Sequence, residues 1–284
     1  MIPPIPPARD SLHDSADASV FHRYEDIAQN DRLQLTAMVP GFATAVWHGL
    51  LLKLPLMTAL LARGIVPVLR RLIIVGDDRP VSVSVPVRYT GALRFAREAA
   101  DERVFVNMWA EGRAPSAGSF DLGAPQDAAV ERVGRVFAEH VLTRPFGPAD
   151  ERRVVSRDVP ELSLLPEVPH AFESAEGLLE GPPLEDAGRP HFTLMHTDPS
   201  QHVNSLVYPR LVEEAVGRRV AEPILARALE VRWRRPFLAG EVARLALRVA
   251  PAGAGGEPPG AFEAAAAFYG QGTKPSCTVK MWLA

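Results

Sequence analysis

The residues whose chemistry stands out lie in one short segment, 196–205, which reads His-Thr-Asp-Pro-Ser-Gln-His-Val-Asn-Ser. Asp198 and His202 lie close together in it, with Ser200 between them. A carboxylate can activate water or orient an imidazole, and an imidazole transfers protons near neutral pH. The segment therefore predicts acid–base chemistry at Asp198 and His202. The alternative is that these side chains only satisfy turn hydrogen bonds.

A helical pattern follows this segment, over about 206–220, and Ser205 is its expected N-cap. The backbone N–H groups at the start of a helix carry a partial positive charge. A thioester carbonyl placed there would have its developing oxyanion stabilised. One loop would then supply a carboxylate, an imidazole and an anion-stabilising helix end.

The elements that position this loop recur in both halves of the chain. Each half is expected to contain an extended stretch, one helix and four strands, which is not a βαβ pattern. In the first half these are 32–35, a helix over 41–63, and strands over 65–75, 81–95, 103–110 and 130–142. In the second half they are 191–195, the helix just described, and strands over 225–234, 241–249, 261–269 and 275–283. The shared order predicts an α+β protein that arose by internal duplication.

Two local patterns in the first half are distinctive. Phe42, Val46, Leu50 and Leu54 recur every four residues, as on one face of a helix that Pro55 should kink or split. Residues 81–85 alternate Val and Ser, as in a half-buried strand. His48 is expected to face solvent or an interface.

The distribution of proline divides the chain. Residues 1–20 are expected to form a flexible leader, and residues 21–147 an N-terminal domain. Residues 148–190 are rich in proline and irregular, which predicts a linker that includes a short strand. Residues 191–284 would form the C-terminal domain that carries the loop.

Composition excludes several classes of function. The chain has 284 residues and a net charge of -3, so it lacks the basic balance of a bulk nucleic-acid binder. Its one cysteine, Cys277, allows no internal disulfide, and His191 and the other loop histidines lack standard zinc spacing. We therefore expect no metal and no cofactor.

The chain also carries no recognisable targeting signal. Its first residues lack the basic-then-apolar pattern of a signal peptide, and the apolar stretch 50–61 is short and interrupted by Lys53 and Pro55. We expect a soluble cytoplasmic protein without a membrane span, as a monomer or a homodimer.

The loop resembles the D-x-x-x-HVNN-x-x-Y…E signature of hotdog acyl thioesterases. The residues that carry the resemblance are Asp198, His202, Val203, Asn204, Ser205, Tyr208 and Glu214. The plan of the whole chain is similar to that of the double-hotdog acyl-ACP thioesterases, which carry the motif in the second of two tandem hotdog domains. Residues 31–37, followed by Trp47, are also similar to the opening of the first hotdog in bacterial members.

The resemblance implies hydrolysis of acyl-ACP or acyl-CoA thioesters to free acids in fatty-acid metabolism. Asp198, His202 and Ser200 would be catalytic, and Asn204, Ser205 and Tyr208 would bind substrate. By the same resemblance, Trp47 would lie on a helix that lines the acyl tunnel. The partner would be an acyl carrier protein or coenzyme A. Its phosphate could meet the basic residues near the motif, or these residues could simply form a solvated face; they are Arg210, Arg218, Arg219, Arg232, Arg234 and Arg235.

Some positions depart from the family pattern. Ser200 stands where the family has asparagine, Ser205 replaces the last asparagine, and Leu211 replaces a tryptophan. Residues 234–237 contain no carboxylate, although family members place an acid there. These departures leave a second function open, that of a non-hydrolytic acyl-binding or dehydratase-like hotdog protein.

Overall fold

The computed structural model describes residues 5–6, 15–98, 103–123, 127–148, 150–168, 175–220, 224–252 and 261–284. The chain forms two compact units, the N-terminal unit Ile5–Ala171 and the C-terminal unit Phe172–Ala284. Each unit contains an antiparallel sheet and a helical segment that packs on it. This is the α+β arrangement expected for both halves.

The N-terminal unit contains six strands and three α-helices among its described residues. In chain order they are β1 Ala16–Val20, α1 Met38–Phe42, α2 Pro55–Ala62, β2 Val66–Gly76, β3 Val87–Glu98, β4 Val104–Pro115, β5 Val130–Thr143, α3 Pro160–Ser163 and β6 Glu167–Val168. The antiparallel order is β1-β3-β4-β5-β2, and β6 pairs in parallel with β3. The expectation of a flexible leader over 1–20 is wrong for residues 16–20, because their backbone pairs with β3 and forms β1.

The expected helix over 41–63 is divided into several pieces. α1 continues into a π-helix, Ala43–His48, and a 3-10 turn, Leu51–Lys53, separates it from α2. Pro55 is the first residue of α2, so the chain splits at the expected proline. The wider π turn shifts the buried face: Phe42 and Val46 are buried as expected, but the next fully buried side chain is Leu51 instead of Leu50.

The helical stretch Leu35–Lys53 packs directly on the sheet. At Gly91 of β3, a Cβ atom would lie 2.6 Å from Cγ2 of Val46, so only glycine allows this approach. The stretch has 19 residues and a hydropathy of 1.4, which by length and composition also suits a membrane-spanning helix. Half of it is buried in the protein, as in the core helix of a globular unit.

The strand expected over 81–95 begins later, at Val87. Residues 83–85 form a turn and a bend, and the hydroxyls of Ser82 and Ser84 both donate to the carbonyl oxygen of Asp121, at 2.8 Å. Val81 and Val85 are still buried. The alternating pattern was wrong about a strand and also about Ser82, which is 1% exposed.

Among its described residues, the C-terminal unit has one long helix and a five-stranded antiparallel sheet. Its elements are β7 Glu185–Gly188, α4 Val207–Gly217, β8 Ala226–Trp233, β9 Arg244–Pro251, β10 Phe262–Tyr269 and β11 Cys277–Leu283, in the sheet order β8-β11-β10-β9-β7. One face of α4 is buried, through Tyr208, Pro209, Val212, Ala215 and Val216. Each large apolar side chain on that face contributes roughly 1.5–3 kcal/mol.

The residues expected to link the two domains, 148–190, make contacts within each unit. Arg153 and Val155 form β-bridges with Thr143 and Arg103 of the N-terminal unit. Further along, β7 pairs with β9 of the C-terminal unit. Residues 169–174 lie outside the described residues.

Candidate active site

Three short backbone segments of the C-terminal unit hold the motif. Thr197 bridges Val203, and His202 bridges Leu238, both antiparallel. Residues 191–195, expected to be extended, instead lead into a 3-10 turn, Leu194–His196. The side chain of His196 closes this turn, since its Nδ1 accepts the N–H of Thr193 at 2.9 Å.

Asp198 begins the tight turn that joins the two bridged residues, Thr197 and Val203. Its N–H donates to the carbonyl of His202 at 3.0 Å, and the chain reverses through Gln201, which has a φ of 66°. Oδ1 of Asp198 accepts the N–H of Ser200 at 2.9 Å and also the Ser200 hydroxyl. Among the described residues, nothing donates to Oδ2 of Asp198. One carboxylate oxygen is therefore held in place and the other is available to water or substrate.

His202 and Asp198 do not bond directly through their side chains. The half-buried imidazole of His202 makes no hydrogen bond or ion pair with any residue that the structure describes. The expected alternative, in which Asp198 orients His202, is therefore not formed here. Each group is free to act on a bound substrate separately.

Ser205, the N-cap expected from the sequence, does not cap α4: the helix begins at Val207 without a side-chain cap hydrogen bond, and Asn204 bonds the turn that leads into it. Oδ1 of Asn204 accepts the N–H of Leu206 at 2.9 Å, and its carbonyl accepts the N–H of Val207 at 3.0 Å. Asn204 takes this position because its own N–H is bound to the carbonyl of His196, at 2.8 Å. Within the described part of the chain, the N–H of Ser205 has no acceptor, so it remains available to an anion.

Tyr208 is a core residue in this structure. It is 1% exposed and its ring contacts those of Phe192, Phe237, Trp233 and Phe268. Burial raises the pKa of its phenol well above the usual value. Its hydroxyl lies near the Phe237 backbone without a hydrogen bond of good geometry among the described residues. Its expected role in binding substrate stays a prediction.

A carboxylate that sequence reasoning did not single out lies in the next turn. Oε2 of Glu241 accepts the N–H of Leu238 at 2.7 Å, and Leu238 is the residue that bridges His202. Glu241 thus shapes the segment beside the motif, although residues 234–237 carry no acid. Two features of the sequence could have singled out Glu241: it is a carboxylate, and it directly follows a turn glycine, Gly240.

The two arginines in that segment are exposed and have no side-chain partner among the described residues. The backbone N–H groups of Arg234 and Arg235 both donate to the carbonyl of Ser276, at 2.8 and 3.1 Å. By contrast, Arg232 is buried in an ion pair with Glu230 at 2.7 Å. Arg234 and Arg235 are therefore accessible from solvent, whereas Arg232 is not.

The two adjacent glutamates of α4 differ in exposure, and the one that matches the motif is the more exposed. Glu214, the motif residue, is exposed and lies 4.0 Å from Arg218. Its neighbour Glu213 is half-buried, and the partial loss of solvent raises its pKa to about 7, although Arg210 opposes this rise. Sequence gave no signal to separate these two adjacent glutamates.

The N-terminal unit contains the same loop without its chemistry. Ala28 and Arg32 replace Asp198 and His202, with the same backbone hydrogen bond between them, at 2.8 Å. Asp31 matches Gln201 and also has a positive φ, 63°. Arg32 forms an ion pair with Asp78. The local match supports the expected duplication, and only the copy in the C-terminal unit has the acid and the imidazole.

Two further expectations concern binding groups. Trp47 is half-buried on the π-helix, where its ring lies edge-on to His140, and His48 beside it is exposed.

Among the described residues, no group of three or more His, Cys, Asp or Glu is arranged to hold a metal ion.

The comparisons with known proteins rest on structure. The sequence matches no protein-family model and no curated protein. The structure is similar to a putative oleoyl thioesterase from Lactobacillus plantarum, with a TM-score of 0.65 and 13% identity, over 96% of this chain and 97% of that one.

Two further structures agree with the first. A 12:0-ACP thioesterase from Umbellularia californica has a TM-score of 0.63 and 13% identity, over 95% of this chain and 94% of that one. An acyl-ACP thioesterase from Bacteroides thetaiotaomicron has a TM-score of 0.55 and 11% identity, over 95% of this chain and 98% of that one. The expected fold class is confirmed: the protein has two tandem hotdog domains, the fold of these three thioesterase structures.

Proposed function

We propose that the protein hydrolyses acyl thioesters to free acids, with Asp198 as the general base. The observation that carries this proposal is the difference in hydrogen bonding between the two oxygens of the Asp198 carboxylate. Ser200 holds Oδ1, and Oδ2 has no donor among the described residues. A positioned carboxylate with one unbound oxygen can take a proton from water.

The reaction would proceed by addition and elimination. Water loses a proton to Asp198 and attacks the acyl carbon, and the carbonyl oxygen becomes an oxyanion. The N–H of Ser205 and the positive end of α4 stabilise that oxyanion. The C–S bond then breaks, and the thiolate takes up one proton, either directly from Asp198 or from His202, which then receives the proton that Asp198 holds. The products are a carboxylic acid and a free thiol.

The substrate would be a phosphopantetheine thioester, carried either by coenzyme A or by an acyl carrier protein in the cytoplasm. Its phosphate would meet Arg234 and Arg235, because guanidinium groups bind phosphate with paired hydrogen bonds. Both arginines are exposed and lie in the segment that leads to Leu238, the bridge partner of His202.

The deciding experiment measures thiol release from a panel of acyl-CoAs and acyl-ACPs. Asp198→Asn should lower kcat by at least about a hundredfold, as expected for loss of a general base. Asp186→Asn is the matched control, because Oδ1 of Asp186 makes the same contact with the N–H two residues on, at 2.8 Å. Unchanged turnover in Asp198→Asn would refute the assignment.

A second arm tests recognition of the carrier. Arg234→Gln with Arg235→Gln should raise KM about tenfold for both carriers if they bind the shared phosphate. Arg218→Gln, which removes an exposed arginine paired with Glu214, should leave KM unchanged. An unchanged KM in the double variant would contradict phosphate binding there.

Acyl binding without turnover is the second candidate, and one observation favours it. Residues 234–237 contain no carboxylate, so a second acid is missing from that segment. Tight binding of acyl-CoA or acyl-ACP without thiol release would support this candidate and contradict the first.

A further inference from the structure

Two copies of one capped turn differ in charge between the units. In the N-terminal unit, Oδ2 of Asp26 accepts the N–H of Arg23 at 2.9 Å. In the C-terminal unit, Nδ1 of His196 accepts the N–H of Thr193 at 2.9 Å. Both capping residues end a 3-10 turn, and the carbonyl of each accepts an N–H from the far side of the loop, from Gln34 or Asn204, at 2.8 Å. The same geometry is thus built with a carboxylate in one unit and an imidazole in the other.

The residue at the start of each turn changes together with the cap. Arg23 neutralises Asp26 by donating through Nε and a terminal nitrogen, at 3.2 and 2.9 Å. Thr193 stands at the equivalent position and is uncharged. The N-terminal unit therefore uses an ion pair where the C-terminal unit uses two neutral groups.

The neutral pair belongs to a loop that is almost free of charge. Between Thr193 and Ser205, Asp198 is the sole Asp, Glu, Lys or Arg, whereas the equivalent stretch 23–35 contains five such residues. Because Nδ1 of His196 accepts a backbone N–H, the imidazole must carry its proton on Nε2 and be neutral while it caps the turn.

We propose that His196 is a positioning residue for the catalytic loop, and that its imidazole caps the turn without placing a second negative charge beside Asp198. This inference rests on the proposed thioester hydrolysis. A carboxylate at this position would repel the oxyanion that develops in the same loop and would raise the barrier to attack. An uncharged acceptor holds the backbone equally well.

Four variants separate the cap from its charge. His196→Asn keeps a neutral acceptor and should retain kcat within about twofold, whereas His196→Asp keeps the cap but should lower kcat about tenfold at an unchanged Tm. His196→Ala removes the acceptor and should lower both kcat and Tm. Thr193→Arg combined with His196→Asp rebuilds the ion pair of the N-terminal unit and should recover most of the kcat lost in His196→Asp.

The result that overturns the inference is equal kcat in the Asn and Asp variants. A second readout does not depend on activity: ¹⁵N NMR of the imidazole should show the neutral Nε2–H form of His196 in the folded protein. A protonated imidazole or the Nδ1–H form would also refute the cap. Absence of hydrolysis by the wild-type protein, with the expected tautomer present, would instead refute the proposed function and leave the cap standing.

Discussion

The indole of Trp47 lies edge-on to the imidazole of His140, with 5.3 Å between ring centroids. His140 is 4% exposed on β5, and its Nδ1 has no hydrogen-bond partner among the described residues. Burial lowers its pKa to about 3, although a hydrogen bond with the Val106 backbone opposes the shift. The folded protein thus holds this imidazole neutral.

The free energy of unfolding should therefore depend on the charge state of His140. In the unfolded chain the imidazole gains a proton below its ordinary pKa, while in the folded chain it stays neutral down to about 3. The stabilising effect is complete above pH 6.5 and is lost as pH falls towards 3. Between pH 7 and 4.5, the free energy of unfolding of His140→Gln should fall by about 2 kcal/mol less than that of the wild-type protein. Urea titrations at both pH values test this, and parallel losses would contradict it.

Glu213 should produce the opposite pH dependence. Its folded pKa of about 7 is above the ordinary value of 4.5, so its effect favours the folded state below pH 4.5 and is lost as pH rises through 7. Glu213→Gln should be more stable than wild type at pH 8 by about 2 kcal/mol, and the difference should vanish near pH 4.5. The exposed neighbour provides the control, since Glu214→Gln should leave the pH profile unchanged. A Glu213→Gln profile that matches wild type would refute the shift.

Asn204 should stabilise α4 where Ser205 does not. Asn204→Ala removes the acceptor for the N–H of Leu206 and should cost about 1 kcal/mol, whereas Asn204→Asp retains an acceptor. Ser205→Ala removes a side chain without a described hydrogen bond and should change stability by less than about 0.5 kcal/mol. Thermal unfolding of the three variants decides between the two caps. A larger loss in Ser205→Ala would restore the assignment made from sequence.

Gly41 should not tolerate a side chain. A Cβ atom at this position would lie 2.1 Å from Cε2 of Tyr89, a fully buried ring. Gly41→Ala should therefore cost at least about 2 kcal/mol, because the core must shift to admit the methyl group. Gly217→Ala, at the end of α4 with nothing within 4 Å of the added atom, should be neutral or slightly stabilising. Equal denaturation midpoints for the two variants would contradict this view of the core.

The order of elements could be predicted from the sequence because it depends on local patterns. Apolar residues that recur with the period of a strand or a helix predict the element before any long-range contact is known. β5 and β10, for example, begin within one residue of their expected positions. The motif could be found in the same way, since Asp198, His202 and Asn204 lie within a few residues of one another.

Long-range contacts decided what local patterns could not. The strand expected over 81–95 begins only at Val87, and in the segment before it Ser82 and Ser84 bind the carbonyl of Asp121, which lies far along the chain. Neither residue type nor spacing indicated that contact.

The sequence by itself determined which chemical groups the C-terminal loop contains and that an element order recurs in both halves. The tertiary structure alone decided which of two adjacent glutamates is half-buried, which residue bonds the turn before α4, and that the side chain of His196 closes the turn at Thr193. The physical reason is that residue type and spacing are local properties. Burial and hydrogen bonding depend instead on the neighbours that folding brings together.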